Sequence, residues 1–339
     1  MVVNKRSLLI VCSCILFLAQ CIYVIGIFTR KPVEVAVEVT TEIPMNTTTT
    51  SAPVIVKDIL PGDHITEFIP PFVPLLNDYV ITENYNLHAC IVRKSMSQLT
   101  TNLMCYLSNT ALYEDRNRTL SDTWAARKGS CDNIAWSAYA PLYENGTMSM
   151  SRMTKLAFIR HPESRFVSFF VDKCINTNSC YGCRDLHCAV KLVYDRLMNH
   201  VQNRHLIDQS ESELWWFDWH AAPQTWNCDF YKHLTDYHLI KIGTSQKDRK
   251  LAMKQLQIAL KTANVEDKYI EKIMADTLVS DTKHGTHQSK SNLRILQQVR
   301  TDPYVRHYLH RIYYFDYVAF GFEIPEVYSA DLPEYPLRN

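Results

Sequence analysis

The chain has 339 residues, of which 47% are hydrophobic and 21% are charged. This is enough apolar material for one large core or two modest ones, which excludes an intrinsically disordered chain. The 36 Lys and Arg residues nearly balance the 35 Asp and Glu residues, whereas a dedicated nucleic-acid-binding domain is normally clearly basic.

The N-terminal end of the chain predicts a membrane anchor. No charged residue lies between Arg6 and Arg30, and the apolar run at 8–28 covers 21 residues. As a helix this run is about 30 Å long, which matches the hydrocarbon core of a bilayer. The alternative, a cleaved signal peptide, has a shorter apolar region of about 7–15 residues. We therefore expect a cytosolic tail at 1–6 and an uncleaved transmembrane signal anchor at 7–29.

Glycosylation sequons and cysteines indicate that the rest of the chain lies in the secretory lumen. Asn46, Asn117 and Asn145 each begin an Asn-x-Thr sequon, which is useful only in that compartment. An even number of cysteines favours disulfides there, although the sequence does not choose their pairing. The eight cysteines beyond the anchor are Cys90, Cys105, Cys131, Cys174, Cys180, Cys183, Cys188 and Cys228.

Composition divides the luminal part into a stem, a folded domain and a tail. The segment at 30–71 contains a Thr- and Pro-rich run without a periodic apolar face, which predicts an extended stem. A luminal domain is expected at 72–325 and a short C-terminal tail at 326–339. Together with the anchor, this organisation is that of a single-pass type II membrane protein.

Within the luminal domain, apolar patterns predict strands that alternate with helices. Short apolar runs at 87–92, 156–159 and 238–242 indicate buried strands. Helical spacing is found at 95–107, after Pro162, and at 186–202, 247–261, 265–275 and 304–314. This alternation predicts the α/β class, with a central parallel sheet in a three-layer sandwich.

The junctions after the first two strands carry the residues of chemical interest. Arg93, Lys94, Ser95 and Ser97 follow the first strand, and Arg160 ends the second. Ligands of open α/β sheets bind at the carboxyl ends of the strands, where helix N-termini offer unpaired N–H groups and a partial positive charge. Each junction is therefore a candidate anion-binding turn. The simpler alternative is a capping serine beside solvated cations.

Four motifs resemble those of Golgi carbohydrate sulfotransferases, in the branch of the chondroitin 4-O- and HNK-1 sulfotransferases. The segment 158–168 resembles the 3′-phosphate-binding motif of that family, and 94–97 lies where the family has its 5′-phosphosulfate loop. The segment 220–228 resembles its His-x-x-Pro-Gln…Cys motif, and 312–322 its C-terminal Tyr-Tyr-x-Asp-Phe-x-x-Phe signature. The resemblance extends over 85–322.

The resemblance implies a P-loop-like nucleotide-binding sulfotransferase fold and a defined co-substrate. The sulfuryl donor would be 3′-phosphoadenosine 5′-phosphosulfate, the acceptor a sugar hydroxyl, and no metal would be needed. Lys94 would stabilise the leaving phosphate oxygen, because sulfuryl transfer depends on positioning and charge stabilisation. The residues that the resemblance assigns to the donor are Arg93, Lys94, Ser95, Ser97, Arg160 and Ser168.

The acceptor side is predicted from chemistry and from the same resemblance. A sugar hydroxyl needs a base that is neutral near neutral pH, which suits histidine. His220, in a Trp-rich stretch, is the candidate catalytic base, and His284 is its rival. The acceptor would be a glycosaminoglycan or another glycan, most specifically the 4-hydroxyl of N-acetylgalactosamine in chondroitin. The catalytic domain would face the Golgi lumen.

Three alternatives remain at this stage. Arg93 and Met96 depart from the proline and small residue of the family's first loop, which keeps a non-catalytic glycan-binding protein on the same fold in consideration. A type II glycosyltransferase is the second alternative, although the chain has no Asp-x-Asp tripeptide. The third alternative is a zinc site at Cys174, Cys180, Cys183 and Cys188, because their spacing is comparable with that of zinc ligands. An oxidising lumen favours disulfides there instead.

Overall fold

The computed structural model describes the greater part of the predicted luminal domain. The described residues are 65–75, 78–122, 135–137, 153–203, 217, 219–243, 245–283 and 290–325. They all belong to one unit, Lys57–Asn339. The predicted cytosolic tail, anchor and C-terminal tail lie outside these residues, as does most of the stem. None of the helices in the described ranges has the length and apolar character needed to span a bilayer.

A five-stranded sheet lies at the centre of the described structure, with strand order β3-β1-β2-β4-β5. β2, β4 and β5 are parallel to one another, whereas β1 is antiparallel to both β2 and β3. The strands are β1 (Tyr79–Thr82), β2 (Leu87–Cys90), β3 (Ala135–Ser137), β4 (Thr154–Arg160) and β5 (Tyr237–Ile242). The predicted parallel sheet is confirmed for the three strands found in the sequence, and the sheet is extended by an antiparallel edge.

Helices cover both faces of this sheet. They are α1 (Ser97–Ser108), α2 (Thr110–Asp115), α3 (Pro162–Phe169), α4 (Leu186–Asn203), α5 (Phe230–His233), α6 (Gln246–Thr262), α7 (Asp267–Lys283), α8 (Lys290–Thr301) and α9 (Pro303–Phe320). A π-helical segment, Phe170–Asn176, continues α3. Pro162 opens α3 as predicted, since a proline at the first position loses no helical hydrogen bond.

The apolar side chains of β4 show why the fold has three layers. Leu156 and Phe158 join a buried cluster with α1, α6 and α7 on one face of the sheet. Ala157 and Ile159 join a cluster with α5 and the end of α9 on the other face. A strand buried on both faces is a continuous apolar run, which is typical of the centre of a parallel sheet. The predicted α/β sandwich is confirmed.

Disulfides hold the segments around the sheet. Cys90 at the end of β2 is bonded to Cys228, across a separation of 138 residues. Cys105 in α1 is also disulfide-bonded. The cluster after the π-helical segment contains two short-range bridges, Cys174–Cys180 and Cys183–Cys188. The prediction of disulfides is therefore confirmed for these cysteines. The zinc alternative for the cluster is wrong because its four sulfurs are used up in the two disulfides.

Candidate functional site

The turn between β2 and α1 has a backbone conformation suited to anions. Lys94 and Met96 both have positive φ, at 64° and 59°. Such left-handed residues cost about 1–2 kcal/mol each when they are not glycine, and this kind of strain clusters at functional sites. Turns of this type direct successive N–H groups toward one side, and α1 begins here without a side-chain cap. The strain also explains why α1 begins at Ser97, two residues later than predicted.

Lys94 projects from this turn into an ion pair with Asp172 of the π-helical segment. Its side chain is only 13% exposed. Burial lowers the pKa of Lys94, and the hydrogen bond and charge of Asp172 oppose that effect. For Asp172, burial acts to raise the pKa, but Lys94 and Lys173 outweigh it and hold the carboxyl below its usual range. The Asp172 carboxyl is therefore ionised at neutral pH.

Arg160, the last residue of β4, brings the second turn against the first. Its Nη1 donates a hydrogen bond to the Lys94 carbonyl, with 3.3 Å between the two atoms. Burial, reinforced by the charge of Arg165, lowers the pKa of Arg160 to about 10. Within the part of the chain that the structure describes, no carboxylate pairs with this guanidinium. A half-buried cation without an acidic partner is a candidate binding group for a phosphate.

Gln224 connects the two turns through its side chain. Its Oε1 accepts hydrogen bonds from Ser95 Oγ at 3.0 Å and from the Arg160 backbone N–H at 2.8 Å. Its Nε2 donates to the Arg160 carbonyl at 2.8 Å. The residue is completely buried. The motif at 220–228 therefore contributes a link between the two candidate anion-binding turns, a role that the sequence analysis did not find.

Asp316, from the C-terminal motif, holds the Gln224 segment in turn. Its two carboxylate oxygens accept hydrogen bonds from the backbone N–H groups of Gln224, at 2.8 Å, and Thr225, at 2.9 Å. Arg165 adds a third link, because its guanidinium donates to the carbonyls of Arg93 at 2.9 Å and Ala222 at 2.7 Å. All four motifs therefore meet at one edge of the sheet.

The serines of the two turns differ in availability. The Ser95 hydroxyl is buried against Gln224, and its N–H donates to the Val92 carbonyl at 3.2 Å. Both polar groups are thus engaged within the protein, so the assignment of Ser95 to the donor stays a prediction that this geometry does not favour. Ser97 is half-buried at the start of α1, and Ser168 is half-buried on α3. Their assignments also stay predictions.

Three further predicted residues are Arg93 and the candidate bases His220 and His284. The Arg93 guanidinium forms an ion pair with Asp78 and lies 5.6 Å from the centre of the Trp219 ring. His220 follows Trp219 and is half-buried, four residues before Gln224. Its role as base stays a prediction. The rival His284 lies outside the described residues. Among the described residues, no group of three or more His, Cys, Asp or Glu side chains could hold a metal ion.

A separate small pocket lies against α3, α8 and α9. Its lining includes Glu163, Val299, Leu309, His310 and Tyr317. None of the residues predicted to bind the donor is among its lining residues, so the turns after β2 and β4 are the better candidate site.

Comparisons with known proteins identify the family of this chain. The model of the sulfotransferase family matches residues 77–323. Carbohydrate sulfotransferase chst-1 of Caenorhabditis elegans is 32% identical over 263 residues, covering 75% of this chain and 78% of that protein. Putative sulfotransferase vep-2 of the same organism is 30% identical over 219 residues, covering 61% and 64%. No solved structure gives a significant match. The family expected from the motifs is confirmed: this chain belongs to the sulfotransferase family.

Proposed function

We propose that this protein is a carbohydrate sulfotransferase that uses 3′-phosphoadenosine 5′-phosphosulfate as its donor. The observation that carries the proposal is the hydrogen bond from Arg160 to the Lys94 carbonyl, because it puts both strand-end turns at one edge of the sheet. The relative at 32% identity is named as a carbohydrate sulfotransferase, which supports the same activity.

The residues of the two turns fit a nucleotide with phosphate groups at two positions. The strained turn and the uncapped start of α1 offer N–H groups to the 5′ side. Arg160, which has no carboxylate partner among the described residues, offers a guanidinium to the 3′-phosphate, with Ser168 on the following helix. When bound, the donor supplies the sulfuryl group that is transferred.

Each residue of the site has a defined part in an in-line displacement. The acceptor oxygen forms a bond to sulfur while the bond from sulfur to the 5′-phosphate oxygen breaks. Negative charge then develops on the leaving oxygen, where the compact ammonium of Lys94 stabilises it. The proton of the acceptor hydroxyl passes to a base, for which His220 is the candidate.

The acceptor and the compartment are further parts of the proposal. The motifs at 220–228 and 312–322 resemble the chondroitin branch, which supports the 4-hydroxyl of N-acetylgalactosamine in chondroitin as the acceptor. The sequons and the apolar run at 8–28 support a type II Golgi membrane protein with a luminal catalytic domain. Asn117, the sequon asparagine among the described residues, is exposed, as glycosylation requires.

A sulfate-transfer assay tests the proposal. The full-length chain, with radiolabelled donor, is offered a panel of desulfated glycosaminoglycans, and the products are digested to locate the label. We expect label on the 4-position of N-acetylgalactosamine in chondroitin. Label on another glycan would refute the proposed acceptor but not the proposed sulfotransferase activity. Binding of the bisphosphate product without transfer to any glycan would instead support the non-catalytic alternative.

A further inference from the structure

The ion pair between Asp172 and Lys94 has no part in the mechanism described above. We propose that Asp172 is a positioning residue for sulfuryl transfer, whose carboxylate holds the Lys94 ammonium at the leaving oxygen and keeps it charged. The inference rests on the proposed function, because it assigns a partner to the lysine of that mechanism.

The backbone around Asp172 is suited to this task. Asp172 lies in the π-helical segment Phe170–Asn176, directly after the helix that follows Arg160. Segments of this kind occur frequently at functional sites. Two residues later, the buried Cys174 is bonded to Cys180, which anchors the end of the segment. The lysine stem is flexible, so a carboxylate on a braced element supplies the fixed point that the ammonium itself lacks.

The charges around Lys94 make this carboxylate necessary. Lys173 faces the ammonium from the same π-helical segment, and Arg165 from α3. Arg160, at the end of β4, donates to the Lys94 carbonyl. Burial and the charges of Lys173 and Arg165 all lower the pKa of Lys94, whereas Asp172 raises it. A neutral amine would not stabilise charge on the leaving oxygen. Losing Asp172 therefore reduces the population of the protonated form of Lys94, which the reaction needs.

A role for Asp172 as the base that accepts the acceptor proton is less well supported. The carboxylate also contacts Lys173 Nζ at 3.1 Å, and the two lysines hold its pKa below the usual range. A carboxylate with a lowered pKa is a weak proton acceptor at neutral pH. The same contacts are well suited to fixing a cation.

The test compares three variants of the full-length chain over a range of pH. Asp172→Asn removes the charge, Asp172→Glu keeps it, and Asp195→Asn is the matched control. Asp195 pairs with Lys191 at 2.6 Å on the exposed face of α4, outside the proposed site. The first measurement is the pH at which Lys94 reacts with an acetylating reagent at half its maximal rate, with the acetylated residue identified by mass spectrometry. The second is the pH dependence of kcat and of the donor KM.

For Asp172→Asn we expect the midpoint of Lys94 acetylation and the alkaline limb of kcat to shift downward together by about 1 pH unit. Transfer should recover at lower pH, and kcat should change more than the donor KM. Asp172→Glu should restore most of the alkaline limb, and Asp195→Asn should resemble the unmodified chain. If Asp172→Asn does not fold, as judged by its melting temperature, Asp172→Ser replaces it in both measurements.

Three results would overturn the proposal. An unchanged acetylation midpoint would show that Asp172 does not control the charge of Lys94. A uniform loss of kcat at every pH would indicate a structural role, and loss of only the acidic limb would indicate the base. If the chain transfers no sulfate, the proposed function is refuted. The acetylation measurement needs no turnover, so it would still decide whether Asp172 controls the pKa of Lys94.

Discussion

Two cations of the site, Lys94 and Arg160, have different surroundings and therefore different expected contributions. Lys94 is held in an ion pair with Asp172, which suits a group that must be placed against one reacting oxygen. Among the described residues, the Arg160 guanidinium has no carboxylate partner and donates only to a backbone carbonyl, which suits a group that binds a phosphate. Substitution should separate these two roles.

We expect Lys94→Ala to lower kcat about 100- to 1,000-fold, the usual effect of removing one group that stabilises developing charge. Arg160→Ala should instead raise the donor KM about 10- to 100-fold, as expected for a lost charged hydrogen bond. Initial rates at varied donor concentration distinguish the two. Lys191→Ala, on the exposed face of α4, is the control for a lost cation. Equal effects of both site variants on both constants would contradict the assignment.

His88 provides a residue-scale prediction about pH and stability. It is 1% exposed on β2, and neither ring nitrogen has a hydrogen-bond partner among the described residues. Burial, with the charges of Lys155 and His233, lowers its pKa to about 3. The folded protein therefore contains neutral His88, whereas an unfolded chain binds a proton below about pH 6.5. His88 thus destabilises the fold progressively as the pH falls from that value toward 3.

Each pH unit in this window should cost about 1.4 kcal/mol of unfolding free energy through this residue. His88→Phe replaces the ring with an apolar one and should flatten the pH dependence. The measurement is the free energy of unfolding in denaturant at neutral pH and near pH 5. If the variant and the unmodified chain lose the same stability between the two values, the buried neutral His88 is not responsible.

At the scale of elements, the site is assembled by hydrogen bonds between segments that are distant in sequence. β2 and β4 end next to each other because they are parallel neighbours. The segment around Gln224 then crosses both strand ends, and Asp316 from α9 fixes that segment. The relative position of the two candidate anion-binding turns therefore depends on side chains outside both of them.

Gln224→Glu should raise the donor KM and weaken binding of the bisphosphate product. The change keeps the side-chain size but replaces the Nε2 donor with an oxygen that faces the Arg160 carbonyl. An unsatisfied buried group of this kind costs about 1–3 kcal/mol, which corresponds to about 5- to 150-fold in affinity if it falls on binding. Product titration by calorimetry measures the change.

The control for this substitution is Gln255→Glu. Gln255 on α6 accepts a hydrogen bond from the Lys241 backbone N–H at 2.9 Å, so it also links a helix to a strand, but outside the turns. We expect it to affect stability and leave product binding unchanged. Product binding that is equally strong in both variants would show that Gln224 does not set the geometry of the turns.

At the scale of the whole described structure, the long-range disulfide couples the site to the stability of the fold. Cys90–Cys228 joins the end of β2 to the segment that contains Gln224, whereas Cys183–Cys188 closes a separation of only five residues. A bridge across a longer loop removes more entropy from the unfolded chain. The two bridges should therefore differ both in how much they stabilise the fold and in how much they affect binding of the donor.

The double substitution Cys90→Ser and Cys228→Ser should lower the free energy of unfolding by about 2–5 kcal/mol. It should also weaken product binding, because the Gln224 segment is then no longer tied to the strand end. The matched change at Cys183 and Cys188 should have smaller effects on both. Denaturant unfolding and calorimetry measure them. A larger loss of stability from the short bridge would contradict this account.

Local patterns in the chain were sufficient for the class of fold and for the positions of both turns. Buried parallel strands are continuous apolar runs, and amphipathic helices repeat every three to four residues, so both are visible without tertiary contacts. β1 and β3 were missed because their runs are short: β3 has three residues, and β1 has four between Asp78 and Glu83. Strands that short carry little pattern, and they are stabilised by pairing with partners elsewhere in the chain. The four-residue β2 was found because its apolar run continues beyond the strand to Val92.

The connections within the site were decided by folding. Gln224 binds both turns, Asp316 holds Gln224, and Asp172 pairs with Lys94. These contacts join residues that are 64 to 129 positions apart. Spacing along a chain does not encode such contacts, because they depend on where parallel strands and their crossover helices end in space. Motifs therefore identified the candidate chemistry of the site. The tertiary packing determined which other side chains position the residues of that site.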